Sequence, residues 1–157
     1  MPCKAVNNHS DMDYNKYKPL FDDFFPYSQK RLGYTNPFAV NLMSDEENAM
    51  NPLGRTAHYD PSKQEISVYV NGRHIKDVLR SIAHELVHHL QNERGDFDGL
   101  MNTKPGYAQE DGHLRKMELE AYTDGNMMFR DWEDGYKAGK RSGQRKIKIK
   151  IKKGGCK

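Results

Sequence analysis

Apolar and polar residues alternate with a period of two in the middle of the chain. From Ile66 to Val70 every second residue is apolar, which is typical of a strand with one buried face. The segments RTAHY (55–59) and EISVYV (65–70) flank DPSK, whose Asp-Pro pair favours a turn. The pattern therefore predicts a β-hairpin, and NPFAVNLM (36–43) predicts one more short strand.

The period then changes to that of a helix, which begins near Ile75 and ends at Gly95. Its apolar residues recur at steps of three and four. If His84 is placed at 0° on a helical wheel, the apolar set centres near ~220° and His88 falls near ~40°. His84 and His88 are therefore expected on one face of the helix, roughly opposite the face that packs into the core.

Helices are also expected on both sides of this region. Residues 18–34 place aromatic and aliphatic side chains near helical spacing, with Pro26 interrupting or restarting the helix and Gly33 ending it. Residues 96–112, rich in Gly and Asp, read as a loop, and a helical pattern resumes over 113–141. The mixture of strands and helices predicts a single α+β domain.

Composition limits the chain to one domain with a small core, since it has 157 residues, of which 36% are hydrophobic and 30% charged. No run approaches the roughly 18 apolar residues of a membrane helix, and the N-terminus lacks the apolar segment of a secretory signal. The two cysteines, Cys3 and Cys156, are expected to be free thiols in a reducing cytoplasm.

Charge is distributed unevenly along the chain. Residues 140–157 carry nine Lys/Arg and no acid, which leaves 16 basic and 22 acidic residues in 1–139, a net charge of −6 against +9 for the tail. We expect a flexible leader at 1–17, a folded domain at 18–139 and this basic tail. The tail is interpreted as a solvated arm, with weak contact to nucleic-acid phosphates as the alternative.

Candidate chemistry lies in His84-Glu85-Leu86-Val87-His88. Two histidines four residues apart on a helix can bind one Zn²⁺, and Glu85 lies beside the ion without ligating it. Zinc activates a bound water, and Glu85 would act as general base for that water. The alternative is a solvent-facing histidine stripe without metal, although a chance H-E-x-x-H in this composition has a probability of only roughly 2%.

A catalytic zinc needs a third protein ligand. Arg94 stands where an all-histidine site would have its third histidine, so the candidates are Glu118 and Glu120 on the later helix. These two point about 200° apart, so only one can face the metal. The small Ala121 favours Glu118, and Glu120 stays as the alternative. Gly125 costs up to about 1 kcal/mol relative to Ala, which a close crossing of two helices would explain.

Over about residues 55–135 the chain resembles the gluzincin group of zinc metallopeptidases and, within it, small peptidases of tailed bacteriophages. The resemblance depends on two segments together, HELVHHLQNERGDF and MELEAYTDGNMMFRDWED. The resemblance implies a minimal zincin-like domain, in which a small antiparallel or mixed sheet packs on the active-site helix and a second long helix carries the third ligand. It implies His84, His88 and Glu118 as zinc ligands and Glu85 as the base. It also implies that an edge strand holds the substrate, and that the protein works in the host cytoplasm. One departure is Tyr122, which stands where related families carry Asp or Asn to orient a ligating histidine.

The expected function is hydrolysis of peptide bonds in a protein or peptide substrate by a zinc-activated water. The alternatives are a zinc-binding interaction protein without turnover and a nucleic-acid-associated protein that acts through its tail. Four residues are candidates for the oxyanion donor, although no spacing argument selects among them: His58, Tyr107, His113 and Tyr122. His89, next to His88, is expected to pack or cap rather than ligate.

Overall fold

The computed structural model describes residues 4–44, 56–96 and 108–138. These contain four strands and three helices, in the order β1 (Lys4–His9), α1 (Tyr14–Leu32), β2 (Phe38–Met43), β3 (Ala57–Asp60), β4 (Glu65–Tyr69), α2 (Ile75–Arg94) and α3 (Ala108–Lys137). The sheet is mixed, with strand order β1-β2-β4-β3. The first three strands in this order run parallel, and β3 is antiparallel to β4. The expected α+β class is confirmed.

One hydrophobic core joins the sheet to all three helices. Alternate residues of β2 and β4 are buried, as the period-two pattern predicts, and Val40, Leu42, Ile66 and Val68 are all 0% exposed. The hairpin between β3 and β4 is also confirmed, and the Asp60 carboxylate accepts the Ser62 N–H at 3.0 Å in its turn.

The expected leader at 1–17 is wrong for residues 4–17. Strand β1 pairs in parallel with β2 from Lys4 to His9, and Asp13 caps the start of α1 by accepting the Lys16 N–H. The polar composition was misleading because an edge strand is stabilised by backbone hydrogen bonds and needs few apolar side chains.

Pro26 does not interrupt α1, contrary to the expectation, whereas Gly33 ends the helix in the left-handed conformation with φ 82°. An internal proline removes one backbone hydrogen bond and costs about 3 kcal/mol. Burial of Phe24 and Phe25 immediately before the proline offsets this cost, since fully burying such a side chain contributes about 1.5–3 kcal/mol.

The second long helix begins earlier than expected, so the loop prediction is wrong for 108–112. The rest of that loop, 97–107, lies outside the described residues, as do the basic tail at 140–157 and both cysteines. Within the ranges that the structure describes, no helix combines the length and apolar character needed to cross a membrane.

Candidate metal centre

Helix α2 presents His84 and His88 on one face, as the sequence predicts. His74 accepts the Lys76 N–H at its N-terminal end, and Gly95 ends the helix at φ 89°. The apolar face is buried, and the His84 and His88 rings lie on the other side with their centroids 5.0 Å apart. The two imidazoles, one helical turn apart, therefore lie side by side on the same face of α2.

Glu118 of α3 lies where these imidazoles converge. Its Oε1 is 3.1 Å from His84 Nε2 and 3.2 Å from His88 Nε2. Ligand atoms around a tetrahedral zinc at about 2.0–2.1 Å are separated by about 3.3–3.4 Å. Both nitrogen–oxygen distances are therefore close to the spacing that a shared ion requires.

Glu85 lies beside this point and is the most buried carboxylate of the site. Its Oε2 is 3.7 Å from His84 Nε2, and the donor atoms of His84, Glu85 and His88 all lie within 4.8 Å of one another. These three residues form a cluster that could hold a metal ion. Either carboxylate could complete the site with the histidines, but Glu118 Oε1 is closer to His84 Nε2, at 3.1 Å, than Glu85 Oε2 is, at 3.7 Å.

Small residues allow α2 and α3 to approach each other at this level. Ala121 is 0% exposed, and a Cβ added at Gly125 would lie 3.0 Å from the Cα of His84. The expectation of a close helix crossing at Gly125 is confirmed. The crossing brings Glu118, two turns before Gly125 on the same stripe of α3, onto the histidine face of α2.

Glu120 is directed elsewhere. Its carboxylate accepts two hydrogen bonds from Arg94, at 2.7 and 3.1 Å, and one from Gln91 at 2.7 Å. Of the two glutamates left open by the sequence, the structure brings Glu118 and not Glu120 to the histidines.

Burial changes the protonation equilibria of the cluster. Burial raises the pKa of Glu85 to about 7, with His88 lowering it and Glu118 raising it further. The pKa of His84 is lowered, first by burial and then by the proximity of His88, while Glu118 opposes the shift. His84 is therefore neutral at pH 7, with a lone pair available for a cation.

A cleft of about 560 Å³ opens over the cluster. One wall is formed by the histidines and carboxylates of α2 and α3, and the other by residues 56–59 at the edge strand β3. Among the described residues β3 pairs only with β4, so the cluster is accessible from a groove beside the outer edge of β3.

The four candidate oxyanion donors have different positions. His58 and Tyr122 line the cleft, and the Tyr122 ring meets the His84 ring edge-on at 5.0 Å. His113 donates from Nε2 to the Asp96 carbonyl at 2.8 Å and does not line the cleft. Tyr107 lies outside the described residues.

His89 packs in the core, as expected. It is 0% exposed, its Nε2 donates to the Asn36 carbonyl at 3.0 Å, and its Nδ1 accepts from the Tyr59 hydroxyl at 2.8 Å. Both ring nitrogens are therefore occupied by structural hydrogen bonds.

Sequence reasoning missed Gln91, which contacts His88. The Gln91 Oε1 lies 2.8 Å from His88 Nδ1, so this glutamine supports the histidine from behind. The available signal was its spacing, because residues three apart share a helix face. The family resemblance indicated the position of Tyr122 instead, and that residue is neither Asp nor Asn.

The fold and the site define an α+β protein with a side-chain cluster, centred on His84, Glu85 and His88, that could hold a metal ion. The chain matches no family model, and comparisons with curated proteins and with solved structures find no match. Its function must therefore be argued from its own residues.

Proposed function

We propose that this protein is a zinc-dependent metallopeptidase of the gluzincin kind, with a minimal zincin-like domain. The observation that carries the proposal is the convergence of three potential ligand atoms from two helices. His84 Nε2 and His88 Nε2 lie 3.1 and 3.2 Å from the same Glu118 oxygen, at the floor of an open cleft.

The donor set supports zinc as the ion. Two imidazoles and one carboxylate, with an open fourth position, are the ligands of catalytic zinc sites in peptidases. His84, His88 and Glu118 would hold the ion, which when bound supplies Lewis acidity and lowers the pKa of a coordinated water to about 7.

Glu85 has the position and environment of a general base. Its Oε2 lies 3.7 Å from His84 Nε2, farther than Glu118 Oε1 at 3.1 Å, and its pKa of about 7 suits proton transfer at neutral pH. In the proposed reaction Glu85 takes a proton from the attacking water and delivers it to the leaving amine as the peptide C–N bond breaks.

The cleft supports a peptide as substrate. Strand β3 is an edge strand, and its residues 57–59 line the same cleft as Glu85. An extended peptide could add to this edge through backbone hydrogen bonds and cross the cluster.

The test combines metal analysis with hydrolysis of labelled casein and a quenched-peptide library. We expect one zinc per chain in the wild type, retention of zinc with loss of cleavage in Glu85→Gln, and loss of zinc in Glu118→Ala. Asp124→Ala is the matched control, because it removes an exposed carboxylate from the same helix.

Three results would contradict the proposal. Wild-type protein that takes up no zinc would exclude the metal site. Equal cleavage by wild type and Glu85→Gln would show that hydrolysis, if present, does not use this centre, and zinc binding without any cleavage would favour an interaction module.

A further inference from the structure

The side chain of Gln91 is fully buried between α2 and α3, and its orientation follows from its contacts. Its Nε2 lies 2.9 Å from the Met117 carbonyl oxygen and 2.7 Å from Glu120 Oε1. Both partners can only accept, so the amide nitrogen must face α3. A flipped amide would set its oxygen against two other acceptors, so the amide oxygen faces His88.

This orientation determines where His88 carries its proton. An amide oxygen can only accept, and Gln91 Oε1 lies 2.8 Å from His88 Nδ1, so Nδ1 must be the donor. A neutral imidazole has one N–H, which leaves a lone pair on Nε2. That nitrogen lies 3.2 Å from Glu118 Oε1, so two acceptors then face each other, an arrangement that a cation between them stabilises.

Residues nearer the protein surface fix the position of the Gln91 amide through Glu120. Arg94 donates to both carboxylate oxygens of Glu120, at 2.7 and 3.1 Å, and also to Asp96 at 2.6 Å. The Arg94 guanidinium therefore holds the Glu120 carboxylate in place by two hydrogen bonds, and this carboxylate is an acceptor for the Gln91 amide.

We propose that Gln91 is a positioning residue that holds His88 in the Nδ1–H tautomer, and that Met117, Glu120 and Arg94 act on the site by fixing the Gln91 amide. The inference rests on the proposed zinc site. Under this inference Glu120, the alternative ligand predicted from the sequence, fixes the Gln91 amide instead of binding the metal. Gln91 takes the orienting role that related families give to Asp or Asn at the position of Tyr122.

The test has two readouts, tautomer and metal affinity. Long-range ¹H–¹⁵N spectra of chelator-treated wild type at about pH 8, above the ordinary pKa of histidine, are expected to show His88 protonated at Nδ1. In Gln91→Met, where no acceptor faces Nδ1, the spectra should shift toward the Nε2–H form. Zinc affinity, measured by competition with a chromophoric chelator, should fall by about tenfold or more.

Asn92→Leu is the matched control. Asn92 is the next residue of α2, and its amide donates to Tyr59 and Pro61, away from the cluster. It should lose stability without a change in His88 tautomer or zinc affinity. Glu120→Ala, at a partly exposed site, should weaken zinc by about threefold, and this effect should vanish in the Gln91→Met background.

The outcomes separate the two proposals. A wild type that binds no zinc but keeps His88 in the Nδ1–H form would refute the zinc function and leave the tautomer assignment standing. A wild-type His88 with a bare Nδ1 would overturn the inference, as would a Gln91→Met protein with unchanged tautomer and zinc affinity. If Gln91→Met does not fold, Glu120→Ala decides by the same readouts, with no change in either one overturning the inference.

Discussion

Replacing Gly125 by alanine tests whether the close crossing of α2 and α3 sets the geometry of the metal centre. The added Cβ would lie 3.0 Å from the Cα of His84, 3.1 Å from its amide nitrogen and 3.3 Å from the Ala83 carbonyl carbon. All three atoms belong to the backbone, so no side chain can rotate away. Helix α3 must move outward at this level.

The required movement follows from contact distances. Ordinary contacts of this kind begin at 3.4 Å, so α3 must shift by about 0.4 Å. Overpacking of this kind lowers the free energy of unfolding by about 1–3 kcal/mol, and the higher helix propensity of alanine offsets about 1 kcal/mol of this loss. The net loss in the free energy of unfolding is therefore about 0–2 kcal/mol.

The effect on the metal centre should be larger than the effect on stability. Glu118 lies seven residues before Gly125 on the same stripe of α3, so a shift of the helix carries its carboxylate away from His84 and His88. Metal sites tolerate about 0.2 Å of error in their ligand distances. We expect zinc affinity to fall by about tenfold in Gly125→Ala, because the shift exceeds this tolerance.

Urea unfolding and chelator competition measure the two quantities separately. Gly112→Ala is the matched control, since Gly112 lies in the same helix and a Cβ there meets nothing within 4 Å. It should gain up to about 1 kcal/mol in the free energy of unfolding with unchanged zinc affinity. Should Gly125→Ala also gain stability and keep wild-type zinc affinity, the crossing does not set the site.

Three further predictions concern the fold. Burial raises the pKa of Glu93, but hydrogen bonds from residues 35–36 outweigh burial and leave that pKa below 4.5. The stability that the Glu93 carboxylate provides should therefore be lost as pH falls below about 4.5. Glu93→Gln should flatten this pH dependence in urea titrations from about pH 3 to 6. Burial raises the pKa of Tyr59 to about 12, so stability should fall as pH rises from about 10 to 12, and alkaline unfolding of Tyr59→Phe should lack that step. Trp132→Phe removes the 2.7 Å hydrogen bond to the buried Asp23 carboxylate and should cost about 1–3 kcal/mol in thermal or urea unfolding, whereas an unchanged midpoint would show that this bond contributes little.

Local periodicity determined most of the secondary structure from the sequence alone. Alternation identified β2 and the hairpin of β3 and β4, and three-to-four spacing identified α2 with its end at Gly95. The same helical geometry placed His84 and His88 on one face, because residues four apart on a helix share a face whatever surrounds it.

Tertiary contacts decided what periodicity could not. Strand β1 is stabilised by pairing with β2, and α1 continues through Pro26 because the aromatic core holds it, so neither is encoded in a local pattern. The choice of Glu118 over Glu120 depends on how α3 rotates against α2, and that rotation depends on Gly125 meeting His84 and on Arg94 holding Glu120. These contacts join residues far apart in the chain, so only the folded structure shows which side chains meet.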